Sequence, residues 1–447
     1  MVAVYSLPIE QVRRHVEQSV DVLEFEGAGY EPFYALDQGR LDNFSDAIML
    51  NAAVGREEQS PLIRALDIRM ASVTGKMVFQ WNVIDSMELA ATPAAERAPE
   101  VPSLASTPTT TSTSLSYARY WHGYQVVLRP LLTFFTYPAI RYINSVLWLA
   151  ATAALALLMA RKLGGRYGLA FVCALTFFSP LTIPMSLSFA GDFYLAYALS
   201  AIVLLWGDRP RWPRIDIELF LVVGMLTSFV DLLIVPLLTL ALPLVLLMLV
   251  QMKTDREFGW RSGLEQVSRA ALAWGGGYAF MWSTKWVIGS LVLNRNMLLE
   301  ALAAGYYRMG GEVYGHGFHD FGALGSNLAL LVPGFGIESA LPGPQVDVII
   351  AFAVMMALGL LAALALLARF HHRPARWSSL VPLLVVAAMP YFWYFVMASH
   401  SERHYWFTYR IQLITLFALG AIYVRLLDWE AVRGAARFVR WKFTQRR

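Results

Sequence analysis

Residues 400–410 read HSERHYWFTYR, wedged between two strongly apolar stretches. His400, Arg403, His404 and Arg410 concentrate cationic and titratable donors in one short string. The planar fork of arginine captures phosphate in a bidentate manner, and histidine titrates near neutrality. The string therefore reads as a seat for an anion, phosphate first. An aromatic belt with snorkelling charges is the plainer alternative. It accounts for Tyr405, Trp406 and Tyr409 but poorly for two histidines.

A second constellation is LDNFSD, with Asp42 and Asp46 four positions apart at the mouth of an expected helix. Two carboxylates there could point to one cavity. The plainer alternative is a helix cap and a charge favoured by the helix dipole. Further candidates are scattered: His122 in RYWHGYQ, Asp192 in SFAGDFY, Asp231 in LTSFVDLLIVP and Lys285 in MWSTKWVIG. A lysine in the outer third of an apolar helix is costly unless it is paired or snorkels. Asp192 has the position of a helix cap.

These residues need a scaffold, and composition says which. Of 447 residues, 57% are hydrophobic and only 15% charged, against about 25% charged in soluble proteins. The chain reads as an all-α, polytopic integral membrane protein. Nine stretches are apolar enough to be helices through a membrane: 143–160, 167–188, 192–206, 216–230, 233–250, 270–291, 347–369, 379–398 and 409–426. The net charge of +4 gives no sign of nucleic acid as a partner. One cysteine, Cys173, excludes an internal disulfide and argues against a thiolate metal site.

Orientation follows from lysine and arginine. The connections 161–166, 207–214, 251–269 and 369–376 and the tail 427–447 are basic. The turns near 190 and 231 carry no such charge, and the loop 292–346 and the string 399–408 carry little. The basic segments are therefore expected in the cytoplasm, with 1–142, 292–346 and 399–408 outside. Transmembrane blocks would then occupy 143–291 and 347–426. Moving residues 1–142 across needs a preceding span, so a further helix upstream is expected, making ten.

Within 1–142, residues 6–26 have helical apolar spacing, and Ser60–Pro61 is a helix start. Residues 91–114, rich in Pro, Thr and Ser, read as a flexible excursion. Tyr117, Tyr120, Trp121 and Tyr124 read as part of an interfacial helix. No P-loop, dinucleotide fingerprint, HExxH or GxSxG sequence occurs.

Taken together, LDNFSDAIMLN, RYWHGYQVVLRPLL, MLTSFVDLLIVPLLTL and HSERHYWFTYR resemble the GT-C membrane glycosyltransferases. Within that class the chain is most similar to bacterial arabinofuranosyltransferases, among them enzymes that decorate type IV pilin with D-arabinofuranose. The resemblance implies an inverting enzyme of the cytoplasmic (inner) membrane working on its periplasmic or exterior side. It implies a polyprenyl-phosphate sugar donor among the membrane lipids, and a protein (pilin) or surface-glycan acceptor. Asp42 or Asp46 would be the general base. Lys285, Arg403, His404 and Arg410 would stabilise the departing phosphate. The D-x-x-x-D spacing departs from the acidic pairs of several GT-C families, so a site without metal is expected, a divalent cation being the alternative. A lipid-linked sugar flippase or transporter is the rival reading, and it expects a polar path near the midplane.

Overall fold

The computed structural model describes residues 1–26, 37–55, 59–73, 112–209, 212–255, 257–309, 321–332, 344–371 and 377–445. Helices dominate, and each of the expected apolar stretches contains one. Among the described residues the exception to the all-α pattern is a two-stranded antiparallel ribbon, Arg69–Val73 with Ser112–Ser116. Residues 112–114 of the expected flexible excursion are therefore strand, and 91–111 lie outside the described residues.

The N-terminal part has its own core. The expected helix over 6–26 is divided into α1 (Ile9–Glu17) and a second helix, Val20–Glu26. Val12, Val16, Val20 and Leu23 pack against Ile48 and Leu50 of α2 (Asn43–Val54) and Leu128 and Leu132 of α3 (Gln125–Phe134). Ser60 opens the helix Pro61–Leu66 as expected, its hydroxyl accepting from Ile63 N. The aromatic run before α3 is not helical. His122 takes a φ of 53°, and Gly123 sits so close to Phe229 that a Cβ would lie 2.2 Å from its ring. The backbone contact Gly123 N to Phe229 O, 2.7 Å, fixes that irregular turn.

The main bundle follows: α4 (Tyr137–Lys162), α5 (Gly165–Thr176), α6 (Leu187–Trp206), α7 (Trp212–Val230), α8 (Leu238–Thr254) and α9 (Trp260–Leu293). Next come α10 (Met297–Met309), α11 (Gly322–Ala329), α12 (Pro344–Phe370), α13 (Val381–Val396), α14 (Leu413–Leu426) and α15 (Trp429–Gln445). Among the described residues four helices are long and apolar enough to cross a membrane: Tyr137–Lys162, Leu187–Trp206, Trp377–Val396 and Tyr405–Leu426. That is the make-up of a membrane protein.

α8 is buried nearly all round, from Leu238 to Val250. An all-apolar helix belongs at the centre of a bundle, and α6, α7, α9, α13 and α14 surround it. The expected 167–188 helix stops at Thr176. Pro180 and Pro184 cannot donate to a helical ladder and restrict the residues before them; Ser179 has a φ of 49°. α7 and α9 approach very closely. A Cβ on Gly224 would lie 2.0 Å from Trp274 O, and one on Gly277 2.1 Å from Leu221 O. Small residues permit such backbone contact between membrane helices.

Candidate functional site

Two adjoining cavities open at the ends of α9, α10 and α13. The larger has a volume of about 650 Å³ and is lined by Phe44, Tyr117, Arg119, Glu300, Ala304, Arg308, Ser399, His400, Arg403 and His404. The smaller, about 230 Å³, is walled by Tyr278, Trp282, Trp286, Trp393, Leu233 and Met397. Arg119, Ala304 and Arg308 belong to both walls. One space is polar and cationic; the next is aromatic and apolar.

The aromatic wall follows from helix periodicity. Trp274, Tyr278, Trp282 and Trp286 recur every four residues on α9, so they share a face. Their rings lie 5.1, 5.1 and 5.6 Å apart in succession. Tyr120 joins the group at 6.4 Å from Trp282.

The cationic wall is assembled from three distant segments. Arg119 comes from the irregular turn before α3, where Trp286 Nε1 donates to its carbonyl at 3.2 Å. Arg308 comes from the last turn of α10 and donates to the Tyr120 hydroxyl. Both guanidinium groups lie over the Tyr120 ring, at 5.0 and 5.2 Å. No carboxylate among the described residues pairs with Arg119 or Arg308. Glu300, the carboxylate in the wall, is bound to Arg295 at 2.6 Å. Arg403 comes from the short helix Ala398–Arg403.

The two histidines sit beside these cations. Their rings are 4.8 Å apart, and His404 stacks on Phe407 at 5.1 Å. His400 Nε2 meets Leu233 O at 2.8 Å. His404 Nδ1 is buried with no hydrogen-bond partner among the described residues. Burial, then Arg308 and Arg403, lowers His404 to about 4. Burial, His404 and Arg308 hold His400 well below its ordinary value. Both rings are therefore neutral at pH 7, and a fresh negative charge nearby would favour protonation. Burial works to raise the Tyr120 phenol, but Arg308 and Arg119 overcome it and leave it lowered.

Other sequence candidates lie elsewhere. Asp42 and Asp46 are fully buried between α2 and α6. Asp42 Oδ1 caps α2 by accepting from Ser45 N at 3.0 Å, and its Oδ2 accepts from Ser188 Oγ at 3.2 Å. Asp46 accepts from Leu187 N, Ser188 N and the Tyr137 hydroxyl, at 2.9, 3.0 and 2.5 Å. Burial pushes Asp42 up to about 6 and raises Asp46 as well. Three of the four carboxyl oxygens latch the N-terminal part to the start of α6, and the fourth caps α2 itself. Neither group lines the two cavities, although Phe44, between them, does.

Lys285 donates to Leu66 O at 2.9 Å and lies over the Trp121 ring, away from the cavities. Arg410 is buried against Phe189 and donates to Trp406 O and Thr182 Oγ1, at 2.8 and 2.9 Å. His122 bridges the Tyr124 hydroxyl and Tyr117 O, at 2.7 and 3.0 Å, and burial lowers it to about 3. Asp192 Oδ1 and Asp231 Oδ2 are buried with no hydrogen-bond partner among the described residues. Backbone N–H groups of Val235 and Ile234 take an oxygen of each. Of the proposed phosphate ligands, Arg403 and His404 meet in the larger cavity, together with His400. Arg119, Glu300 and Arg308 were not foreseen; the four-residue aromatic spacing on α9 was the readable sign of the adjoining wall.

The described residues offer no cluster of three or more metal-ligating side chains. No protein-family model, curated protein or solved structure matches this chain.

Proposed function

We propose that this chain is a multi-spanning membrane glycosyltransferase that takes a sugar from a polyprenyl-phosphate donor. The carrying observation is that a cationic cavity and an aromatic one adjoin, with Arg119 and Arg308 in the walls of both. A lipid phosphate has the matching division, an anionic head on an apolar chain. Arg119, Arg308 and Arg403 would hold the phosphate, and Tyr278, Trp282 and Trp286 would flank the first isoprene units.

In this reading an acceptor hydroxyl attacks the anomeric carbon, the glycosidic C–O bond to phosphate breaks, and the phosphate departs with the bonding electrons. Its growing charge falls among the three arginines, where fixed cations lower the barrier. The hydroxyl proton goes to a carboxylate. Glu300 is the candidate because it stands in the cavity wall; Asp42 and Asp46 become positioning residues. The donor sugar is a pentose, arabinofuranose, and the acceptor an exported protein such as pilin or a surface glycan. These two identities rest on the sequence resemblance.

The remaining apolar helices complete a bundle of nine spans in the cytoplasmic membrane. The cavity residues lie on segments with little basic charge, and the opposite helix ends carry Arg161, Lys162, Lys253, Arg261 and Arg369. That asymmetry supports a site on the exterior side. The test uses proteoliposomes, synthetic polyprenyl-phosphate arabinofuranose and an acceptor. Transfer by the parent that collapses in Arg308→Ala and Glu300→Gln supports the reading. Movement of the lipid between leaflets without transfer replaces it with a flippase.

A further inference from the structure

The C-terminal helix α15 poses a separate question, since the stretch Tyr405–Leu426, which ends in α14 and is long and apolar enough to cross a membrane, stops just before it. The turn between them is fastened on several sides. Leu427 bridges to His371, and Asp428 N donates to Phe370 O at 2.7 Å. Asp428 Oδ1 then caps α15, accepting from Glu430 N and Ala431 N at 3.0 Å each. Trp429 Nε1 donates back to Val424 O at 2.8 Å, while Arg166 lies 4.2 Å over its ring. The direction of α15 is thus set by its first turn and by the bundle.

Beyond that turn the helix is amphipathic. Arg433 and Arg437 follow each other at four-residue spacing, and both are exposed. Arg440 and Lys442 continue the basic series in sequence. Glu430, at the first turn, is the acidic residue of the helix. Phe438 is 55% exposed, an odd place for a phenyl ring on a helix rich in arginine. A basic helix that follows a span and leaves a phenyl ring half exposed is the pattern of an element lying at a bilayer surface.

We infer that α15 docks on the bilayer surface, with Arg433 and Arg437 on anionic lipid phosphates and Phe438 seated among the acyl-chain ends. Charge complementarity commits the occupant to anionic lipid, because a zwitterionic surface offers the arginines no net attraction. Lys253 donates to Lys162 O, Arg166 meets Trp429 and Asp428 N meets Phe370 O, so Arg161, Lys253 and Arg369 border the same turn and extend the basic rim. The inference needs Tyr405–Leu426 to span a membrane and is independent of what the cavities bind.

The test uses the full chain with Cys173→Ser and Phe438→Cys, nitroxide-labelled at position 438. It is reconstituted in vesicles of phosphatidylcholine alone or mixed with phosphatidylglycerol. Collisions with oxygen and with a water-soluble nickel complex report depth. The expected result is oxygen-rich, nickel-poor collisions that become more so with phosphatidylglycerol. Adding Arg433→Glu and Arg437→Glu should return the label to water, a shift of roughly tenfold or more in the partition for two basic residues. A label equally open to nickel in both lipids, or unmoved by charge reversal, overturns the inference.

Discussion

Arg119 and Arg308 stand over one phenol ring, that of Tyr120, with guanidinium carbons 5.0 and 5.2 Å from its centre. They are 189 positions apart in sequence terms (308 minus 119), and both border the polar and the aromatic cavity. Two cations held this close repel one another unless an anion lies between or beside them. Cation–π contact with Tyr120 offsets part of that repulsion. A bound phosphate would remove the rest.

Arg308→Ala should therefore weaken binding of a polyprenyl phosphate by roughly 10- to 100-fold, the scale of a lost hydrogen bond to a charged group. Arg308→Lys should recover only part of it, since a point charge lacks the planar fork. Equilibrium binding of a fluorescent polyprenyl phosphate to protein in nanodiscs measures this. Unchanged affinity in Arg308→Ala would remove the phosphate from this cavity.

The aromatic wall should discriminate by chain length. Trp282→Ala removes a ring between Tyr278 and Trp286, at a cost of about 1–3 kcal/mol for a well-buried apolar contact. A long polyprenyl phosphate should lose affinity while a phosphate with a very short chain does not. Equal losses for both would mean that the tryptophan shapes the polar cavity instead.

Acidification should act on His404 in a definite direction. Its folded value, about 4, lies below the ordinary 6.5, so the unfolded chain binds more protons between those values. Stability from this group is present above the ordinary value and is lost as pH falls through that window. Asp42, raised to about 6 by burial, works the opposite way, so the useful quantity is the difference between parent and His404→Gln. The groups facing His404 are Arg308, Arg403 and His400, with Glu300 in the same cavity wall. The variant should lose less thermal stability between pH 7 and 5. Bound phosphate should narrow the gap, because an anion favours the protonated ring. Parallel melting curves for parent and variant would show that His404 does not titrate there.

The carboxylates should separate into two kinds. Asp46→Asn leaves Leu187 N or Ser188 N without a full acceptor in a buried latch, a cost of about 1–3 kcal/mol. Glu300 is partly exposed, with 35% of its side chain accessible. Glu300→Gln should therefore melt near the parent temperature yet transfer little or no sugar. A stable Asp46→Asn protein with no transfer would give the base back to the first pair.

The apolar stretches were legible as helices because length and unbroken hydropathy leave a chain little else to form. The break at Thr176 was less legible, since the apolar run continues past it and only Pro180 and Pro184 tell against a helix. In the site, His400, Arg403 and His404 could be read because they lie together in one polar string. Arg119, Glu300 and Arg308 could not, because they converge from separate segments. Lys285 and Arg410 looked equally available in sequence, but backbone carbonyls at Leu66 and Trp406 take them. Which cation meets a carbonyl and which meets a cavity is decided by packing, not by residue type.

The sequence Gly275-Gly276-Gly277 on α9 gives the sharpest test of that packing. A Cβ on Gly277 would lie 2.1 Å from Leu221 O, a backbone atom of α7 that cannot swing aside. At Gly276 nothing lies within 4 Å. Gly277→Ala must push α7 from α9, a cost typical of overpacking, ~1–3 kcal/mol. Gly276→Ala should stabilise the helix by up to ~1 kcal/mol, since alanine restricts the unfolded chain and favours helix. The displacement in Gly277→Ala would carry Trp274 and Tyr278 with it, so polyprenyl-phosphate affinity should fall as well. Thermal unfolding of the two variants in one detergent decides the matter: identical melting temperatures would mean that α7 and α9 do not approach this closely.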